Sequence, residues 1–175
     1  RCFGEPQQGK GTKVINRSVE VATNSLTAMI IRSKADQDHL LEVRRIIEIQ
    51  TVRLAAMRAN EQDLSDMKKA LERMNNADTP DEEYNFSDLK FHVLIARASK
   101  NPILESFMNA IQPLILEAIK LTQNHQQRPE TTSNFHANIY ESIVLRDADL
   151  AEKCMREHLV ATEKMIQSLK LIISE

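Results

Sequence analysis

The chain has 175 residues, 42% of them hydrophobic and 27% charged, with a net charge of −2 at pH 7. That length allows one domain with a real core, and that charge excludes a general affinity for nucleic acid or anionic membrane. No apolar run reaches membrane-spanning length, and two cysteines, Cys2 and Cys154, make no disulfide framework, so a reduced cytoplasmic setting is expected.

Only three glycines occur, Gly4, Gly9 and Gly11. The glycine-free remainder, rich in Leu, Ile, Ala, Glu, Lys, Arg and Met, lacks the turn chemistry of sheets and reads as all-α. Residues 1–15 differ. Gly9-Lys10-Gly11-Thr12, followed by the β-branched Val14 and Ile15, reads as the end of a β-hairpin, and the start at Arg1 suggests a preceding domain. Residues 16–35 form a connecting segment, with a short helix over 18–32 capped by Ser18 and carrying Val21, Leu26, Met29 and Ile30.

The domain proper is expected over 36–175. A long helix starts at Asp36 or Asp38 and runs to Ala59, with Leu40, Leu41, Ile47, Leu54 and Ala55 at helical spacing. Asn60 caps the next, whose stripe is Leu64, Met67, Ala70, Leu71 and Met74. A polar loop ending in Pro80 precedes a helix over 81–99. Asn101 and Pro102 supply the cap and first residue of a helix to about His125, in which Pro113 should cause a kink. A sixth helix follows Pro129 and ends near Leu145. Asp147 caps a seventh over 148–173, with Ala151, Cys154, Met155, Thr162, Met165 and Leu169 inward. Six to seven helices with short loops predict an antiparallel bundle.

Asp88 and His92 are four residues apart and share a helix face. About 0.7 such acid–histidine pairs are expected by chance, so the pair alone carries little. His136, in phase with Ile139 and Ile143, and His158, in phase with Ala151 and Met155, add two imidazoles on core-facing stripes. Each taken singly reads as an ordinary core histidine. Together, on three consecutive helices, the four side chains suit one divalent ion built into a bundle interior. Three imidazoles and a carboxylate without thiolate favour zinc or nickel, then iron or manganese. His39 and His125, at helix ends, read as solvated.

Arg44 lies on the stripe of Leu40, Leu41 and Ile47, and a guanidinium facing a core needs an anion. That anion is either a glutamate from another helix or a ligand carboxylate held by two parallel bonds, and the residues leave both open. Arg45 and Glu48 are expected on a solvated face.

These segments resemble one family. The run from Leu40 to Glu48 is similar to the opening of the FadR C-terminal domain of GntR-type transcription regulators. Asp88-Leu89-Lys90-Phe91-His92, with the later Asn101, resembles the family's D-x-x-F-H segment. His136-Ala137-Asn138-Ile139-Tyr140-Glu141-Ser142-Ile143, then Asp147, Ala151, Met155 and His158, resembles its last two helices. The resemblance covers about residues 36–170 and departs at Lys100, where many relatives have glycine. It implies an antiparallel helical bundle, with Asp88, His92, His136 and His158 as metal ligands and Arg44 facing a small organic acid effector. It also implies a preceding winged helix-turn-helix that binds operator DNA, with residues 1–15 as the remnant of its wing, a homodimer, and no membrane partner. The function expected is non-enzymatic sensing, in which the effector alters DNA binding. The alternatives are a metal-dependent enzyme on the same four side chains, and a metal that only staples the bundle.

Overall fold

A computed structural model describes residues 17–32, 37–76, 78–122 and 130–173. The expected wing remnant, Cys2 and His125 lie outside these residues, as does the side chain of Leu169. Seven helices and no strand occur among the described residues: α1 Arg17–Arg32, α2 Gln37–Arg58, α3 Glu61–Asn75, α4 Asp81–Ala98, α5 Pro102–Thr122, α6 Glu130–Val144 and α7 Ala148–Ile173. The all-α expectation holds. No described helix is long and apolar enough to cross a membrane.

Several ends follow from local chemistry. Asn60 accepts from the Asp63 backbone N–H at 2.9 Å while Asp63 accepts from that of Asn60 at 2.8 Å, a reciprocal cap for α3. Asn101 Oδ1 accepts from Ile103 N–H at 3.1 Å, and Pro102 opens α5 where a missing N–H costs nothing. Asp147 Oδ1 accepts from the N–H groups of Asp149 and Leu150, at 3.1 and 2.9 Å, to start α7. α5 runs through Pro113 as continuous helix. α1 begins at Arg17, so the expected cap, Ser18, lies one residue inside it.

Two stops use the left-handed region. Lys100, after α4, has φ 57°, and Arg146, after α6, has φ 61°. The α6 stop is complete: Arg146 N–H bonds Ile143 O at 3.1 Å and Asp147 N–H bonds Ser142 O at 3.1 Å, occupying carbonyls that the helix end leaves open. The Lys100 angle gives the departure from glycine a physical cost, and its ammonium pairs with Asp63. A β-carbon at positive φ costs about 1–2 kcal/mol, so Arg146→Gly is expected to stabilise the chain by about 0.5–1 kcal/mol after its greater unfolded-state entropy. Thermal unfolding checks this: a rise of about 1–4 °C is expected, and a fall would mean that the Arg146 Nη1–Ala56 O contact of 3.4 Å outweighs the backbone cost.

α4 packs on α3, α2 and α5. It is therefore buried on more than one face, with Phe91, Ile95 and Ala96 fully covered. The main core joins α2, α3, α4, α6 and α7 around Val52, Met67, Phe91, Ile139 and Met155. A smaller core joins α4 and α5 through Leu89, Met108, Ile111 and Ile115, with Ile30 of α1 against it. α1 packs on α5, where Thr27 Oγ1 donates to Ala110 O at 3.1 Å. Only part of its expected apolar face is covered: Leu26 and Ile30 are half-buried, whereas Val21 and Met29 are 61% and 60% exposed. α2, α4, α6 and α7 turn polar side chains toward one another.

Candidate metal centre

Four helices supply that polar cluster. α4 carries Asp88 and His92, α6 carries His136, α7 carries His158, and α2 brings Arg44, whose Nη2 reaches His92. The three imidazoles are buried, and one nitrogen from each lies within 4.8 Å of the others. Their rings are in contact: His92 stacks on His158 with centroids 5.1 Å apart, and His136 tilts against His158 at 4.5 Å. Phe91 meets His136 edge-on at 5.4 Å, closing the core side of the cluster. Asp88 stands beside two histidines, with Oδ1 2.8 Å from His136 Nε2 and 3.7 Å from His92 Nε2. The four residues singled out in the sequence thus meet in one place, and Arg44 joins them.

The donors in this cluster are under-used. Asp88 Oδ1, His136 Nδ1, His136 Nε2 and His158 Nδ1 are enclosed yet have no hydrogen-bond partner. Asp88 Oδ1 and His136 Nε2 are close enough to bond but not aligned to do so. The one other orphan among the described residues is Ser87 Oγ, beside Asp88 in sequence. A buried polar atom without a partner costs about 1–3 kcal/mol, so the concentration of such atoms at one point marks a place suited to a further group. The three imidazoles could hold a divalent metal ion, with the Asp88 carboxylate beside two of them.

The wall formed by α2 corrects one expectation. Arg45 is exposed as expected, but Glu48 is 1% exposed and sits inside. Its Oε1 accepts from Arg44 Nε at 2.5 Å, and its Oε2 accepts from His92 Nδ1. Arg44 Nη2 lies 3.2 Å from His92 Nε2. The glutamate partner of Arg44 therefore comes from its own helix. The signal was available: Leu41, Arg44, Glu48, Val52 and Ala55 are all buried at steps of three or four. The expectation failed because the charge of Glu48 was weighed above its phase. His39 is exposed and lies outside the cluster.

Charge and burial oppose each other at each group. Burial would raise the Glu48 carboxyl, but the Arg44 guanidinium, then His92, hold it at about 2. Burial would likewise raise Asp88, but His136, then His92 and Arg44, keep it well below the ordinary carboxylate range. Burial works against the Arg44 charge, and Glu48 and Asp88 more than restore it. His158 is driven well below the usual histidine value by burial, then by His136, His92 and Arg44, and so stays neutral. A neutral imidazole is the form that ligates. Arg44 and Glu48 offset one another, which leaves the Asp88 carboxylate to meet an added cation.

Comparison with known proteins agrees with this architecture. The FCD domain family matches residues 39–161. The chain is 30% identical over 167 residues to the HTH-type transcriptional regulator LutR of Bacillus subtilis, covering 93% of this chain and 76% of that protein. It is 24% identical to the Glc operon transcriptional activator of Escherichia coli, over 95% of this chain and 69% of that one. Among solved structures, E. coli McbR/YncC superposes with a TM-score of 0.68 at 18% identity, over 77% of this chain and 66% of that one. Streptococcus agalactiae GntR gives 0.64 at 20% identity, over 94% and 75%. These two likenesses bear on the fold, the sequence matches on descent, and the chain belongs to the FCD domain family of GntR-type transcription regulators.

Proposed function

We propose that this domain senses a small organic acid at a metal ion held by Asp88, His92, His136 and His158, and passes the signal to DNA-binding domains of a cytoplasmic homodimer. The observation that carries the reading is the meeting of three buried imidazoles, each with one nitrogen within 4.8 Å of the others, with the Asp88 carboxylate beside two of them. Zinc and nickel suit three imidazoles and one carboxylate best, with iron and manganese next. When bound, the ion supplies a Lewis-acidic anchor for a carboxylate oxygen. The chain's own residues do the rest. His158 stays neutral and keeps its lone pair. Arg44 stays ionised with Nε on Glu48 and Nη2 near His92, and its guanidinium offers an effector carboxylate an N–H contact beside the histidines. The surrounding apolar side chains exclude water and strengthen this attraction.

An effector changes DNA binding only if it prefers one arrangement of the two protomers. A winged helix-turn-helix preceding the bundle would read the operator, and the arrangement would set the spacing of its two copies. The regulator relatives favour sensing over catalysis. So does Glu48: a carboxyl at about 2, bonded through both oxygens, is poorly matched to proton abstraction near neutral pH.

The reading is tested by thermal unfolding of the zinc-loaded chain with a panel of organic acids, alongside Arg44→Lys. At an acid concentration of 100 times Kd, the wild type should gain about 2.7 kcal/mol, a shift of roughly 5–10 °C. Lysine keeps the charge but loses the planar fork, so the variant should gain much less. Equal stabilisation of both proteins by every acid would remove Arg44 from the effector site.

A further inference from the structure

Glu48 is outside the ligand set, yet among the described residues no acid is more deeply buried. Both of its oxygens are in use. Oε1 takes the Arg44 Nε–H at 2.5 Å and Oε2 faces His92 Nδ1. These contacts specify how His92 carries its proton. An ionised carboxylate has no hydrogen to give, so the contact with Nδ1 requires an N–H there. The guanidinium has no acceptor, so Arg44 Nη2 at 3.2 Å from His92 Nε2 requires a lone pair on Nε2. Two separate neighbours therefore select the same tautomer. Nε2, the nitrogen left with the lone pair, is also the one that faces Asp88 and His158, at 3.7 and 3.2 Å. The same contact places the His158 proton on Nε2, facing the His92 lone pair, whereas neither ring nitrogen of His136 has a bonded partner.

We propose that Glu48 is the positioning residue of the centre: it holds His92 with Nδ1 protonated, so that Nε2 carries the lone pair a metal would take in place of the Arg44 N–H, and it holds the Arg44 guanidinium through Nε. This rests on the reading that the centre takes a metal. It adds that one carboxylate on α2 links the α4 ligand to the proposed effector contact. Metal affinity and the orientation of Arg44 are then set by the same residue. Groups that orient a ligating histidine through its second nitrogen typically contribute 10–100-fold to metal affinity.

The test uses the full chain and zinc. Competition with a chelating indicator gives the affinity of the wild type, Glu48→Gln and His136→Ala, and 15N spectra of the histidine rings give the tautomers. Glutamine keeps the shape but offers one acceptor where two are needed. We expect zinc affinity in Glu48→Gln to fall about 10–100-fold, with altered His92 nitrogen shifts and unaltered shifts for His136. In the zinc-loaded wild type, His92 should show a protonated Nδ1 and a metal-bound Nε2. That measurement stands whether or not the variant folds. Unchanged zinc affinity in a folded Glu48→Gln, or wild-type His92 bound through Nδ1, overturns the Glu48 role alone. Weaker binding with the His92 tautomer unchanged also overturns it, because the residue would then act only through stability. If the wild type takes no zinc, or His136→Ala binds it equally well, the metal reading fails and the proposal fails with it.

Discussion

With zinc present, His158→Leu is expected to unfold well below the wild type; with a chelator present, the order is expected to reverse. Zinc at 1,000 times its Kd adds about 4.1 kcal/mol to a chain that binds it only when folded, a gain of roughly 8–16 °C. Losing one of three imidazoles removes most of that gain. Stripped of metal, the same histidine is a burden. It is 3% exposed, its Nδ1 has no partner, and burial with His136, His92 and Arg44 holds it neutral. Leucine of similar volume removes the orphan atom, worth about 1–3 kcal/mol, against a repacking cost below about 1.5 kcal/mol. A functional site is expected to be locally unfavourable without its ligand, whereas a core histidine kept for packing would be destabilising to replace under both conditions. Thermal unfolding of the two proteins in zinc and in chelator decides between them.

The second large effect is at Arg44. Arg44→Ala is expected to cost about 3–5 kcal/mol, because it leaves the buried Glu48 carboxylate without its main counter-charge. The pH dependence should change with it. In the wild type Glu48 is lowered from 4.5 to about 2, so the folded state binds fewer protons than the unfolded state between those values. This contribution is present above pH 4.5 and is lost as the pH falls toward 2, and it amounts to about 3 kcal/mol at 1.36 kcal/mol per unit. His158 acts in the same direction from a higher pH, since its lowered value makes stability fall once the pH drops below 6.5. Without Arg44, burial meets no comparable opposition and the Glu48 carboxyl rises. If it rises above 4.5, the sign reverses: Glu48 then favours the folded state at low pH and that benefit is lost as the pH increases. Denaturant unfolding from pH 3 to 7 should therefore show a steep acid loss in the wild type and a shallower one in Arg44→Ala. Parallel curves would show that Arg44 does not control the Glu48 charge.

Much of the bundle was legible because its signals are local. Asn60, Asn101 and Asp147 begin helices through bonds spanning two or three residues, and the Met67–Ala70–Leu71–Met74 stripe is buried as its spacing predicts. The four candidate ligands were legible in a weaker way. Phase placed His136 and His158 inward, but only tertiary packing brings ring nitrogens from three helices within 4.8 Å of one another. Glu48 was misread because a charged residue was assigned to solvent by type, although Arg44 four residues earlier could neutralise it inside. Val21 and Met29 are apolar yet exposed, because among the described residues α1 packs only on α5. Periodicity says which side chains share a face, and the neighbouring helices decide which face is buried.

The central claim is that Asp88, His92, His136 and His158 form one metal centre. X-ray absorption at the zinc edge, on the full chain loaded with one equivalent, tests it most directly. The predicted spectrum has scattering from three imidazoles and a carboxylate oxygen, and loses one imidazole in His136→Ala. Sulfur scattering from Cys154, fewer than three imidazoles in the wild type, or a spectrum that His136→Ala leaves unchanged would contradict it.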